Sequence, residues 1–453
     1  MRLIKHTIFV ELGDCKKLMI NSLNGAIDKI DDDTFKIISR WKGCEEIIPN
    51  CEAEVALFDN LKSRGYLVQS YNEELEKKNK ILQALRGRHD KSKINNGNIM
   101  FIMTYDCNFR CSYCFESTEI SEDVASCGQN SSKARDKISV MTPKLIDAAF
   151  ELAGSDLKSV GLFGGEPLLP KTRSAIEYIA SKAHNKSFNI ITNGYYLEEF
   201  IDILSGLTIS QIMVTLDGME ETHNLRRYLG NGKPTYNKIM AGIKLCLKNN
   251  IAICIRMNLD KSNCDEAKIL KSQLIDEFSD YKDLLSFELS PMIGASYDER
   301  NQMFAGFYSE EGKFPAEEMQ RNNRMLGKFT PIVNAITAGA NPRPVYSFCY
   351  AHDNGLLVDP LGNIFPCLLA VGIDDLAIGK YYPEIDFYEK SIRHRNIETI
   401  PECRDCVYSL LCGGGCPVAF SDYKNLFRPE CFSIKNDIHN NLPAFFLEKE
   451  KSR

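Results

Sequence analysis

Three cysteines within eight residues have the spacing of ligands for a metal centre. Cys107, Cys111 and Cys114 follow the apolar residues 99–104, which have the composition of a strand. Thiolates hold zinc or iron–sulfur clusters, and a [4Fe–4S] cluster normally takes four of them. Three thiolates would leave one iron open to an exchangeable ligand. The spacing alone leaves two alternatives open, namely a zinc site with a distant fourth ligand and a chance cluster.

Seven more cysteines form a second array near the C-terminus, in the order Cys349, Cys367, Cys403, Cys406, Cys412, Cys416 and Cys431. A zinc ribbon is one interpretation, because CxxC pairs are typical of zinc sites. Zinc-binding pairs usually lie further apart than Cys406 and Cys412, and seven cysteines exceed one tetrahedral site but fall one short of two. The glycines at 413–415 would let the backbone fold tightly around a sulfur-rich cluster.

Composition limits the classes of protein to which the chain can belong. Its 453 residues predict about three domains, and 44% hydrophobic with 26% charged residues exclude disorder and collagen-like structure. The net charge of −6 gives no basic field for nucleic acid. No apolar run is long enough to span a membrane, and Glu11 precedes any signal-peptide core. We therefore expect a cytoplasmic protein without membrane or nucleic-acid partners, in which clustered cysteines hold metal rather than disulfides.

Strands and helices alternate from residue 99 onward. Helical stretches separate six short apolar strands, expected at 99–104, 160–163, 188–192, 212–216, 253–258 and 286–289. This pattern predicts an α/β fold with a partial (β/α)6 TIM-type barrel over residues 99–300. In such folds the active site lies at the carboxyl ends of the strands. We expect a helical bridge at 301–340 and a loop-rich, cysteine-dense domain at 341–453.

The N-terminal residues 1–72 read as a small α+β unit. Asn24 and Gly25 are typical of a hairpin turn, Asp32 or Asp33 can cap a helix, and Gly65 can end another. Residues 73–98 are rich in Lys and Asn and predict a helical linker that frays into a loop. Its basic residues are expected to face solvent.

The motif CxxxCxxC at the end of the first barrel strand resembles the signature of the radical S-adenosylmethionine (SAM) superfamily. Two further stretches resemble motifs of this family: Gly164-Gly165-Glu166-Pro167 after the second strand, and Thr215-Leu216-Asp217-Gly218 after the fourth, followed by His223 and Arg227. The resemblance implies that Cys107, Cys111 and Cys114 hold a [4Fe–4S] cluster whose open iron binds SAM. Reductive cleavage of SAM would then give a 5′-deoxyadenosyl radical that abstracts a substrate hydrogen.

By the same resemblance, a set of loop residues would bind SAM: Tyr113, Gly164, Gly165, Glu166, Asn193, Thr215 and Arg227. The glycines would let the backbone approach the ligand, and the Glu166 carboxylate would help to hold the methionine ammonium. His223 is expected to be structural. No residue is assigned as a catalytic acid or base.

The C-terminal array resembles the seven-cysteine SPASM domain, which holds two auxiliary [4Fe–4S] clusters and brings the expected total to three. The resemblance implies two ligand sets: a first set of Cys349, Cys367 and Cys416, and a second set of Cys403, Cys406, Cys412 and Cys431. The first set lacks a fourth ligand. Some relatives supply it six residues upstream, where this chain has Arg343. We expect either an open iron that binds a substrate thiolate, or a ligand from elsewhere such as Cys127 or a carboxylate.

Two further features bear on the substrate. Sulfatase-maturing relatives carry an Asp directly after the second cysteine of the array, where this chain has Leu368. The N-terminal unit resembles the winged-helix element that binds leader peptides as an added strand. The expected function is thioether formation in a ribosomally synthesised, Cys-containing precursor peptide, with electrons from flavodoxin or ferredoxin. Alternatives are another SPASM reaction (carbon–carbon cross-linking, epimerisation or formylglycine formation) and a non-catalytic iron–sulfur peptide-binding or redox-sensing protein.

Overall fold

The N-terminal part of the chain forms two small sheets and three helices. The computed structural model describes residues 1–88, 97–114, 139–291, 329–349, 351, 355–389, 391–419, 425–431, 434–435 and 437–451. The first elements are β1 (Arg2–Leu3), β2 (Thr7–Gly13), β3 (Lys16–Asn21), β4 (Ile27–Asp31), α1 (Asp32–Trp41), α2 (Glu52–Ser63), β5 (Leu67–Val68) and α3 (Tyr71–Arg88). Strands β2, β3 and β4 form an antiparallel sheet in that order, and β1 pairs with β5.

The first helix begins one residue earlier than expected. The N-cap is Asp31, whose side chain accepts a hydrogen bond from the Thr34 amide at 2.8 Å, whereas Asp32 and Asp33 lie in the first turn. Three consecutive aspartates can each cap a helix, and the end of β4 at Asp31 decides among them. The expected boundary after residue 72 falls inside α3.

Six parallel strands form the centre of the molecule, as predicted. The elements of this part are β6 (Asn98–Ile102), α4 (Pro143–Ala153), β7 (Ser159–Phe163), α5 (Arg173–Lys182), β8 (Ser187–Thr192), α6 (Leu197–Leu204), β9 (Thr208–Thr215), α7 (Glu220–Arg226), α8 (Tyr236–Lys248), β10 (Ile253–Leu259), α9 (Cys264–Glu277) and β11 (Leu285–Pro291). Strands β6 to β11 lie side by side in sequence order. Apolar side chains of the strands and flanking helices form one large core, in which Phe188 and Ile212 are fully buried.

The C-terminal region continues this sheet, which the sequence did not predict. Its elements are α10 (Phe329–Thr337), β12 (Leu357–Val358), β13 (Asn363–Phe365), β14 (Gly379–Lys380), β15 (Asp386–Phe387), α11 (Ser409–Cys412) and α12 (Leu442–Lys451). Strand β12 pairs in parallel with β6, and β13 to β15 follow as antiparallel strands. Strands of two or three residues are too short to show the alternation of apolar and polar residues by which a strand is recognised in a sequence. Residues 301–328 of the expected bridge lie outside the described ranges.

The N-terminal unit packs against the cysteine-rich region of the same chain. One face of the β2–β4 sheet, including Val10 and Leu18, shares a buried apolar cluster with Leu411, Cys412 and residues of α10 and α12. None of the helices in the described ranges combines the length and apolar composition needed to cross a membrane.

Helix α3 forms a second contact with the cysteine-rich region and is not a freely solvated linker. Leu82 and Leu85 pack in one cluster with Ile400 and Cys403. The Lys78 ammonium donates a hydrogen bond to the Arg404 carbonyl. The helix therefore touches the chain on both sides of Cys403, because its apolar positions face the cysteine-rich loops while most of its charges face solvent.

Candidate active site

The structure brings the first three cysteines together in the loop after β6. The Phe109 amide donates to Cys107 Sγ at 3.4 Å, which curls the loop around the thiol. Burial, the Glu166 carboxylate and the neighbouring thiols of Cys111 and Cys114 raise the pKa of Cys107. Buried thiols that raise one another's pKa lie close together, and a bound metal centre would stabilise them as thiolates.

The two glycines after β7 pack against the backbone of this first loop. Gly164 has φ +138°, and a Cβ there would lie 2.4 Å from the Thr104 carbonyl oxygen, while one at Gly165 would lie 2.3 Å from the Asp106 carbonyl oxygen. The Gly165 amide donates to Thr104 O and the Glu166 amide to Asp106 O, both at 2.9 Å. In this structure the missing side chains make room for the neighbouring loop.

The Glu166 carboxylate joins two loops from inside the protein. It accepts hydrogen bonds from Thr192 Oγ1 at 2.6 Å, from the Asn193 amide at 2.7 Å and from the Leu168 amide at 2.8 Å. Burial raises its pKa to about 6. The Asn193 side-chain amide donates in turn to Asn108 Oδ1 at 2.8 Å and lies 3.8 Å from Cys107 Sγ. The carboxylate therefore positions the Asn193 loop beside the first cysteine.

A buried polar network surrounds the Tyr113 hydroxyl. This hydroxyl donates to the Asp217 carboxylate and accepts from Arg227 Nη1 at 2.7 Å and from Asn258 Nδ2 at 3.1 Å. Asp217 also accepts from the Asn258 amide at 3.0 Å. Burial raises the pKa of Tyr113, so the hydroxyl keeps its proton. The network links the cysteine loop to the loop after β9 and to the carboxyl end of β10.

Arg227 retains a buried donor without a partner. Its Nε is inaccessible to solvent and, among the described residues, has no hydrogen-bond acceptor; the same holds for Asn108 Nδ2. The Arg227 guanidinium interacts favourably with the Cys111 thiol, which raises the arginine pKa, although burial opposes this. An unsatisfied cationic donor beside a cysteine cluster fits an anionic group such as the SAM carboxylate.

His223 has the contacts of a structural residue. Its Nδ1 accepts from the Asp217 amide at 3.4 Å and its Nε2 lies 3.2 Å from Thr235 Oγ1. Burial and the neighbouring arginines lower its pKa to about 3, so the ring stays neutral. Thr215, the other predicted residue of this loop, ends β9 and is 8% exposed.

The seven C-terminal thiols lie in two groups. Burial and the thiols of Cys349 and Cys416 raise the pKa of Cys367 to about 12. Burial and the thiols of Cys406 and Cys431 raise the pKa of Cys403 to about 12.

The remaining member, Cys412, belongs to the second group. Its pKa is also raised to about 12, by burial, by the thiols of Cys403 and Cys431 and by the Glu430 carboxylate. Within the described residues, no three His, Cys, Asp or Glu side chains are arranged to hold one metal ion. Thiolates of a [4Fe–4S] cluster bind different irons and surround the cluster, so they need not converge on one point.

Sequence reasoning missed the role of three polar residues. Asn258 is the last residue but one of β10, and its position at the carboxyl end of a barrel strand was an unused signal. Asp217 stood in a quoted motif without an assigned function. Arg226 forms ion pairs with Asp260 at 2.6 Å and Asp217 at 3.6 Å, and no local pattern marks it.

The network around Tyr113 predicts the effect of removing one hydroxyl. Tyr113→Phe leaves Asp217 and Arg227 with one buried partner fewer, and we expect the free energy of unfolding to fall by about 1–3 kcal/mol in denaturant titrations of the apo-protein. Tyr178→Phe is the control, because that hydroxyl pairs with Asp147 at the surface and its loss should change the value by less than about 0.5 kcal/mol. Equal effects of the two changes would show that the network does not stabilise the fold.

Residues 101–268 match the radical SAM superfamily. The chain is 22% identical over 291 residues to the radical SAM cyclopropyl synthase TigE of Paramaledivibacter caminithermalis. This alignment covers 58% of each protein. It is 23% identical over 341 residues to a cysteine-type anaerobic sulfatase-maturating enzyme of Clostridium novyi, covering 69% of this chain and 85% of that one. The chain thus spans less than two thirds of the length of TigE but more than two thirds of the length of the sulfatase-maturating enzyme.

A solved structure has the same fold. Native anSMEcpe with bound AdoMet and Cp18Cys peptide superimposes with a TM-score of 0.53 at 18% identity, over 79% of this chain and 99% of that one. The superfamily match coincides with the strands and loops that hold Cys107, Glu166 and Arg227. Residues 101–268 therefore match a radical SAM domain, and the relatives of the chain include a sulfatase-maturating enzyme.

Proposed function

We propose that the protein forms thioether cross-links in a ribosomally synthesised, Cys-containing peptide by radical SAM chemistry. The observation that carries the proposal is the arrangement of ten cysteines in three groups of neighbouring thiols, one at the mouth of the barrel and two in the C-terminal region. A single cluster would suffice to cleave SAM. The two further groups are explained by a reaction that also binds a substrate thiolate or takes up an electron.

The barrel loops supply the SAM site in this proposal. A [4Fe–4S] cluster held by Cys107, Cys111 and Cys114 supplies, with SAM, the radical that abstracts a substrate hydrogen. Arg227 would bind the SAM carboxylate through its Nε, which has no acceptor among the described residues. Tyr113, fixed by Asp217, would present its ring to the ligand.

The first C-terminal set supports the choice of a thioether. Cys349, Cys367 and Cys416 are three thiols, and Arg343, at the position where some relatives have a fourth cysteine, is exposed. Cys127, the alternative ligand, lies outside the described residues. An iron with three protein ligands can take a thiolate of the substrate as its fourth. Leu368 begins a short turn, Leu368–Ala370, and puts no carboxylate at the position where sulfatase-maturing relatives carry an Asp.

The N-terminal unit supports recognition of a leader peptide. Strand β4 is an edge of its sheet in the described structure, and edge strands can pair with an extended peptide. A groove of about 220 Å³ runs beside it, lined in part by Ile27, Arg64, Ile336 and Phe446. A leader bound here would raise the effective concentration of the core peptide at the barrel.

Iron content tests the cluster assignment. Loaded anaerobically, the protein should hold about 12 irons per chain, and either Cys114→Ala or Cys406→Ala should reduce this to about 8. Cys114→Ala should also abolish 5′-deoxyadenosine formation, measured by chromatography. Cys44→Ala, which removes an exposed thiol, should change neither value. A wild-type content of only about 4 irons would refute the two auxiliary clusters.

Changes in the groove test leader binding better than deletion of residues 1–72, which would also strip Leu411 and Cys412 of their packing. Ile27→Asp should weaken binding of the leader peptide at least about tenfold, a loss of ~1.4 kcal/mol, because it puts a charge into an apolar contact. Uncoupled SAM cleavage should be unchanged. Val55→Asp, at an exposed site on α2, should bind like wild type; equal affinity of the two variants would place the leader elsewhere.

Mass spectrometry identifies the product. Co-expression with a cysteine-rich precursor peptide, encoded beside the enzyme, should give a peptide that has lost two hydrogens per cross-link and whose cysteines resist alkylation. Co-expression with the Cys114→Ala variant is the control and should leave the peptide unmodified. A two-hydrogen loss with all cysteines still open to alkylation would indicate a carbon–carbon bond instead and would refute the thioether.

A further inference from the structure

Arg395 is buried in the cysteine-rich region without any exposed surface. Its guanidinium donates five possible hydrogen bonds, and the structure uses four of them on backbone carbonyls. Nε donates to Leu426 O at 2.8 Å, Nη1 to Gly415 O at 2.6 Å, and Nη2 to Gly414 O at 2.6 Å and Arg428 O at 2.8 Å. All four acceptors are neutral, so they fix the side chain without cancelling its charge.

The charge of Arg395 faces both C-terminal thiol groups. Burial lowers the pKa of Arg395, and the groups that oppose this are four thiols, namely Cys403 and Cys412 of the second set and Cys416 and Cys349 of the first. In the part of the chain that the structure describes, no carboxylate forms an ion pair with it. Burying an uncompensated guanidinium is costly, so anionic partners are expected, and thiolates carrying clusters are the nearby candidates.

The same side chain holds the turn that joins the two sets. Residues 413–415 all have positive φ, between +73° and +92°, and connect Cys412 of the second set to Cys416 of the first. A Cβ on Gly414 would lie 3.4 Å from Arg395 Nη1, and one on Gly415 would lie 2.1 Å from the Glu430 carbonyl oxygen. Only glycine fits this path, and Arg395 binds the carbonyls that the path turns inward.

We infer that Arg395 is a positioning residue that keeps one positive charge between the two auxiliary clusters and raises the reduction potential of both. The inference rests on the proposed function, in which these cysteines bind clusters. One-electron reduction adds a negative charge to a cluster, and a fixed positive charge in a site of low dielectric constant stabilises that form. The effect favours uptake of an electron by either cluster.

Redox titrations followed by electron paramagnetic resonance test the inference on the loaded enzyme. Arg395→Gln removes the charge, and both auxiliary potentials should become more negative by at least the equivalent of a tenfold change in the reduction equilibrium, which is 59 mV for one electron. Arg395→Lys keeps the charge and should retain potentials close to wild type. The potential of the cluster at Cys107 should not change in either variant.

Arg86→Gln is the matched control. It removes an arginine that pairs with Glu398 on the same side of the molecule but is largely exposed, so solvent screens its charge and the potentials should stay at the wild-type values.

The comparison of Lys with Gln decides each outcome. The inference is supported if the Lys variant loads iron and retains the wild-type reduction potentials, while the Gln variant has more negative auxiliary potentials or less auxiliary iron. A Lys variant that behaves like Gln in iron content or in potential overturns it and leaves Arg395 only its backbone hydrogen bonds. Wild-type protein with one cluster would instead refute the proposed function, which the iron content of wild type shows before any variant is made.

Discussion

The candidate site depends on one buried carboxylate that ties loops of separate strands together. Parallel strands end at one edge of a sheet, but their loops are independent unless something joins them. Glu166 does so, because its backbone amide bonds the loop after β6 while its carboxylate bonds the loop after β8. Three donors on one carboxylate offset much of the cost of burying it. Cys107, Asn193 and the glycines of the second loop take their positions from this arrangement.

The same principle recurs in the C-terminal region with the charge reversed. There a buried cation, Arg395, collects four carbonyls and fixes the path of the chain between cysteines of different sets. Both residues bind mainly backbone atoms. Backbone contacts leave the neighbouring side chains free to face the ligand, and they keep the loops in place before any ligand arrives. Preorganisation of this kind lowers the cost of ordering loops at the moment of binding.

Much of the fold could be predicted from the sequence, and the failures have physical causes. The six strands from Asn98 to Pro291 are apolar and separated by clear helical periods, so their existence and parallel order followed from local pattern. Strands β12 to β15 are too short for any period, and only the free edge of β6 explains why they pair. The sequence did not predict the contact of α3 with Cys403, because α3 is mostly charged and polar, and Leu82 and Leu85 are too few to mark a buried face.

The site divides in the same way. Cys107, Cys111 and Cys114 are close in sequence, so their spacing marked a candidate metal centre. The roles of Arg395 and Asn258 arise instead from contacts between distant segments. The hydrogen bond from Tyr113 to Asp217 joins residues 104 positions apart, and the sequence around neither residue predicts it. Sequence spacing thus predicted the candidate ligands, while the groups that position them appeared only in three dimensions.

The packing of the first sheet on the last helix bears on the order in which the chain can assemble during synthesis. Val10 and Leu18 are synthesised before the barrel, but their partners in α12 and around Cys412 are synthesised after it. The barrel can fold while the chain is still growing, since its contacts are between neighbours in sequence. The N-terminal sheet instead keeps an apolar face exposed until the C-terminal region has been synthesised. Completion of the N-terminal core and packing of the region around Cys412 are therefore one shared step, which comes after the barrel has been synthesised.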